Sequence, residues 1–135
     1  MRSRIWLLLW LIGILFPMAF LGRMWPAFGK AFNQFFATTL SHVVFHAFLY
    51  AVLAILLCQW IKPDNPIAWL KIMGVILITG CLHEGIQVIL AGQWPGWPAE
   101  LMDLSVDLVG AGLGLAILRV VTLRLSKKRT NLRPN

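Results

Sequence analysis

The residues from His83 to Gly114, HEGIQVILAGQWPGWPAELMDLSVDLVGAGLG, decide the fold. They hold His83, Glu84, Gln87, Asp103 and Asp107 inside or beside hydrophobic runs long enough to cross a bilayer. Ionisable side chains at such depth are costly and as a rule functional or paired. Between the two runs stands W-P-G-W-P, Trp94 to Pro98, where Pro and Gly punctuate a loop. The other segments read as scaffold around this one.

Working outward, the 135 residues are 59% hydrophobic and 13% charged, with a mean hydropathy of +0.78. That is the composition of a small polytopic membrane protein with a single domain over 1–135, and it excludes an ordinary soluble domain. In a soluble protein the formal charge of +7 would point to nucleic acid. Here the bases cluster: Arg119, Arg124, Lys127, Lys128, Arg129 and Arg133 crowd the C-terminal end, as an anchor on anionic lipid heads would. No nucleic-acid partner is expected. Cys58 and Cys81 lie in different apolar runs and read as small core residues. Arg2 and Arg4 precede an apolar stretch like that of a signal peptide. Residues 17–22 offer no small-x-small cleavage site, so the stretch is expected to remain as the first membrane helix.

A hydrocarbon core of roughly 30 Å needs about 20 apolar residues in a helix. The predicted fold class is therefore an all-α membrane protein with four transmembrane helices over about 5–21, 40–61, 67–90 and 101–118, followed by a basic cytoplasmic tail over 119–135. A short amphipathic, aromatic segment with Phe28, Phe32, Phe35 and Phe36 is expected to lie in the interface between the first and second helices. Ten of the bases fall on one side of this topology and only Arg23 and Lys30 on the other. The positive-inside rule then puts both termini in the cytoplasm of a multi-pass cytoplasmic (inner) membrane protein. The Trp94 to Trp97 loop faces outward.

With that orientation His46, Glu84 and Asp107 share one level, roughly 9 Å inside the outer surface at a rise of about 1.5 Å per residue. Residues three or four apart share a helix face, which aligns His42, His46 and Tyr50 on one helix, Gly80, His83, Glu84 and Gln87 on the next, and Glu100, Asp103 and Asp107 on the last. The first helix has no titratable side chain and reads as a shield. Gly110 and Gly114 read as a close-packing ridge, and Glu100 as a solvated loop-edge residue. An unpaired ionised carboxylate at the depth of Glu84 or Asp107 would cost several kcal/mol or more, so each must be protonated, paired, hydrated or cation-bound. The two together imply an outward-open polar pocket.

Such a pocket suits acid/base work near neutral pH. Glu84 is the candidate general base or acid, with His83 and His46 to tune or relay its proton and Asp103 with Asp107 to hold a cation or a substrate hydroxyl. The ligand types also suit zinc, but H-E-G-I-Q has Gln87 where H-E-x-x-H has its second histidine. No metal is therefore firmly assigned and the cofactor stays open, with a divalent ion the only candidate.

These motifs resemble those of the VanZ-like family of small bacterial integral membrane proteins, over about 41–114. That family has a D-K-x-x-H-x-x-x-Y helix, a D-E-x-x-Q helix, a P-G-R loop and then D-x-x-x-N-x-x-G-x-x-x-G. The chain matches at His46, Tyr50, Glu84, Gln87, Pro95, Gly96, Asp103, Gly110 and Gly114, in the expected order. It departs at His42 and Val43, which stand for Asp and Lys, at His83 for Asp, at Trp97 for the loop arginine, and at Asp107 for Asn. The resemblance implies a cell-envelope role of the kind tied to teicoplanin resistance. The residues expected to bind substrate in the pocket are His42, Tyr50, Gln87, Asp103 and Trp97. The expected partners are the lipid bilayer, a lipid-linked envelope precursor, and another membrane protein or a second copy of the chain. The alternative is a non-catalytic scaffold whose buried polar network only fixes helix packing and which acts through a partner protein. A proton-coupled carrier ranks third, since four helices without a repeat make a poor alternating-access machine.

Overall fold

A computed structural model describes residues 2–16 and 18–131, and all regular structure among them is helical. In order the helices are α1 (Arg2–Leu15), α2 (Met18–Met24), α3 (Pro26–Phe35), α4 (Thr39–Cys58), α5 (Pro66–Ala91) and α6 (Trp97–Asn131). Their ends follow local chemistry. Thr38 caps α4 by accepting the Ser41 N–H at 3.1 Å, and Asn65 caps α5 by accepting that of Ala68 at 2.9 Å with Pro66 in the first turn. Helix α5 stops at Gly92, whose φ of 66° is left-handed, and Gly96 at φ 97° turns the chain into Trp97 and Pro98.

Among the described residues three helices are long and apolar enough to cross a membrane, over Thr39–Cys58, Pro66–Leu90 and Trp97–Lys128. Twenty residues of α4 give about 30 Å, the thickness of the hydrocarbon core. Their outer faces carry Leu40, Leu70, Ile89 and Val109 openly, which suits a lipid-bilayer environment.

Two expected boundaries differ. The single first helix over 5–21 is instead α1, 14 residues long, followed by Phe16 in a bend and then by α2. Pro17, whose ring cannot donate a backbone hydrogen bond, lies outside the described residues. The last helix begins at Trp97 rather than 101 and runs on through Asn131, so that most of the basic tail is helical. Nothing between Gly114 and Asn131 breaks a helix: the segment is rich in Leu, Arg and Lys, good helix formers, and has neither Gly nor Pro.

Helices α4 and α6 run parallel and approach closely. A Cβ on Gly110 would run into the backbone of Ala47, and one on Gly114 into that of Ala51. Small residues on both faces thus let the two backbones touch, the expected ridge. Helices α1 and α5 run the opposite way. Trp10 of α1 donates its indole N–H to the Leu49 carbonyl at 2.9 Å, and the Arg4 guanidinium lies 4.7 Å from the centre of the Trp60 ring, which brings the start of α1 beside the end of α4. Tyr50, Leu53, Ile72, Ile76 and Ala111 form the solvent-free centre. Cys58 packs against it, whereas Cys81, expected in the core, is exposed on α5 next to Leu82. On a helix with an apolar face toward lipid, a small apolar side chain has no need of the core.

Candidate functional site

At the end of the bundle opposite the α4–α5 turn, α2 and α3 fold back on each other. Gly22 and Gly29 meet so closely that a Cβ on Gly29 would overlap the Gly22 carbonyl. The fold-back carries a run of rings in contact, Trp25 stacked on Phe28, Phe28 tilted against Phe32 and Phe32 tilted against Phe36, which ends against His42 and Phe45 of α4. Beneath it opens a cavity of about 530 Å³, which also reaches the 92–96 turn through Gln93, Trp94 and Pro95.

The walls are apolar, with Phe16, Phe20, Phe32, Phe36, Phe45 and Leu49, while the polar lining comes from four helices and from Gln93 in the turn. Helix α4 supplies His42 and His46, α5 supplies His83, Glu84 and Gln87, α6 supplies Glu100 and Asp103, and α2 supplies Arg23. A spacing of four residues, about one helical turn, produces this convergence. Positions 42 and 46 on α4 face positions 103 and 107 on parallel α6 at a constant offset of 61 residues. The offset persists because the Ala47–Gly110 and Ala51–Gly114 contacts lock the two helices in register.

The pairs are direct. His42 Nε2–H donates to Asp103 Oδ1 at 3.2 Å, and His46 Nδ1–H donates to Asp107 Oδ1 at 3.0 Å. Glu84 approaches from α5, its Oε1 4.0 Å from His46 Nδ1. His83 Nδ1–H donates to the carbonyl of Ile14, and the Gln87 amide N–H donates to His83 Nε2 at 2.6 Å. Ile14 lies in the last turn of α1, where carbonyls lack an intrahelical partner, so the break after Leu15 frees an acceptor for the histidine. Among the described residues, three buried oxygens make no hydrogen bond of good geometry, Glu84 Oε1, Asp107 Oδ2 and Tyr50 Oη, although the Tyr50 hydroxyl and the Asp107 carboxylate interact with each other. The last two share the space over Gly80, where an added Cβ would lie 3.0 Å from Asp107 Oδ2 and 3.7 Å from Tyr50 Oη.

The structure thus gathers His42, His46, His83, Glu84, Gln87 and Asp103 around one cavity. It places the other three expected site residues elsewhere. Asp107 and Tyr50 are buried behind His46 and do not line the cavity; Asp107 reaches it only through its hydrogen bond to that imidazole. Trp97 is exposed at the start of α6, edge-on to Trp94, and it is Trp94 that faces the cavity. Starting α6 at Trp97 explains both that shift and the position of Glu100, which was expected to be solvated and is buried in the lining. Pro98 in the first turn of the helix was its signal. The Ile14 carbonyl was also unforeseen, although Pro17 signalled a helix end nearby.

Among the described lining residues three carboxylates, Glu84, Glu100 and Asp103, stand against one guanidinium, that of Arg23 on α2, so carboxylates outnumber guanidinium groups in the recess. These features define a helical protein suited to a bilayer, with an imidazole–carboxylate recess under an aromatic cover. No family model, curated protein or solved structure matches the chain.

Proposed function

We propose that the protein is a multi-pass cytoplasmic-membrane protein of the VanZ-like kind that binds an amphiphilic cell-envelope component, such as a lipid-linked wall precursor, in the 530 Å³ cavity. In this reading both termini are cytoplasmic, α1 with α2 serves as a fourth, broken span, and α3 rests in the outer interface. The observation that carries it is the division of the lining: phenylalanines and leucines for an acyl or prenyl chain, and at the inner end Glu84, whose Oε1 is buried and unpartnered. A buried acceptor without a donor costs about 1–3 kcal/mol, which an incoming hydroxyl or amide N–H would relieve. Arg23 is the cation available to a phosphate at the mouth, since it lines the cavity without an ion pair among the described residues. The ordered match of His46, Glu84, Gln87, Pro95, Asp103, Gly110 and Gly114 to the family's motifs supports the same reading.

The test is native mass spectrometry of the detergent-purified chain with a polyprenyl phosphate and with a polyprenyl-linked disaccharide. One bound molecule per chain, abolished by Ala99→Trp at the cavity lining, is the expected result. Equal binding by wild type and Ala99→Trp, or none by either, contradicts it.

The scaffold reading draws on a different observation, the burial of Asp107 and Tyr50 behind the cavity wall. It requires Glu84→Gln to lose folded yield in detergent. Retained folding together with a lost envelope phenotype supports the binding reading instead.

A further inference from the structure

We infer that His46, His83 and Glu84 form a site for one divalent transition-metal ion, with zinc the first candidate, whose open coordination position faces the cavity. One nitrogen of each imidazole and one Glu84 oxygen lie within 4.8 Å of one another. Ligand atoms about a tetrahedral zinc with bonds of roughly 2.0–2.2 Å stand about 3.4 Å apart, a contraction within the reach of side-chain rotations. The set is two histidines and a glutamate, a donor combination that zinc takes with the fourth position left to water or substrate. All three residues line the cavity, so that fourth position has somewhere to face.

Two independent observations point to a cation rather than to packing. The first is Glu84 itself, only 6% exposed, with Oε1 lacking a hydrogen bond and no nearer to a nitrogen of His46 than 4.0 Å. A cation satisfies such an oxygen where no donor is within reach. The second is the state of the two rings. His46 Nδ1–H is held by the Asp107 carboxylate and His83 Nδ1–H by the Ile14 carbonyl. Each neutral ring then carries its lone pair on Nε2. For His83 this is the orientation that metal-binding histidines ordinarily take, a carbonyl on the nitrogen away from the ion; His46, whose Nδ1 is the nitrogen 4.0 Å from Glu84 Oε1, presents its Nε2 to the same ion only after its ring rotates. Gln87 donates to the Nε2 lone pair of His83; being exposed, it can turn aside for the ion. The acidic excess of the lining, Glu84, Glu100 and Asp103 against Arg23, favours a cation in the same place. The site does not depend on which molecule enters the cavity.

The experiment uses the full chain in detergent, stripped with chelator, dialysed and titrated with Zn²⁺ against a chromophoric competitor. One equivalent binds, Glu84→Gln and His83→Gln each weaken it on the order of 100-fold, and Asp107→Asn weakens it about tenfold through the orientation of His46. Cys81→Ser, which removes the exposed thiol, leaves the affinity unchanged. Co²⁺ added to the unaltered protein gives the intense visible bands of a four-coordinate nitrogen/oxygen site and needs no folded variant. No stoichiometric Zn²⁺, an affinity untouched by His83→Gln, or a Co²⁺ spectrum of six-coordinate or thiolate type overturns the site.

Discussion

His46 and Asp107 are joined at 3.0 Å across two parallel helices, and both are almost wholly out of contact with solvent. The same offset of 61 residues, one turn earlier, joins His42 to Asp103 at the cavity. His42, Asp103 and His46 line the recess and Asp107 backs it, fixing the ring that His46 presents. Asp107 acts on the cavity through His46 and not by touching its contents.

The pair should be measurable as a coupling. Asp107→Ala leaves a buried imidazole N–H unsatisfied and is expected to cost about 1–3 kcal/mol. Between membrane helices the net energy of the bond itself is smaller, about 1 kcal/mol. Unfolding by denaturing detergent of His46→Ala, Asp107→Ala and the double variant should give a coupling of that size, with the double variant losing less than the sum. Strict additivity would contradict the contact.

The glycines should rank by what faces them. Gly110→Ala and Gly114→Ala drive a methyl into the α4 backbone and are expected to cost about 1–3 kcal/mol each, the range for overpacking. Gly80→Ala meets the ends of the Leu104 and Asp107 side chains, which can give way, and should cost less. Gly112→Ala meets open space and should stay within about 0.5 kcal/mol of wild type. Detergent unfolding midpoints of the four variants check the order.

Single cysteines on a background without Cys58 and Cys81 test the arrangement of the ends. Lys30→Cys and Trp94→Cys should react together with a membrane-impermeant maleimide added to intact cells, and Lys62→Cys and Lys128→Cys only after lysis. Labelling of positions 30 and 94 from opposite sides would contradict the fold; labelling of 62 and 128 from outside would reverse the proposed orientation alone.

Much of this architecture was legible in the chain because a bilayer reduces the problem to length, hydropathy and facing positions. The runs holding His46, Glu84 and Asp107 stand out by their polar interruptions, and the four-residue spacing of His42, His46, Asp103 and Asp107 puts each pair on one face. Gly110 and Gly114 announced a close approach, though not that Ala47 and Ala51 would receive it. What stayed hidden depended on helix ends. Whether Trp97 opens α6 or closes a loop moves Trp97 out of the recess and Glu100 into it, and hydropathy does not resolve a shift of four residues. The Ile14 carbonyl is a backbone acceptor, and side-chain identity carries no trace of it. Tyr50 and Asp107 share their faces with His46 and Asp103, yet depth along the helix alone separates a lining residue from one that supports it.

The central claim is that imidazoles and a carboxylate from separate helices share one recess, and nitrogen-15 NMR of the three histidines in lipid nanodiscs tests it most directly. Replacing Glu84 with Gln should move the imidazole signals of His46 and His83 together, while Lys128→Gln at the far end of α6 moves neither. If Glu84→Gln leaves both rings unchanged in a folded protein, the three groups do not meet and the recess as described does not exist.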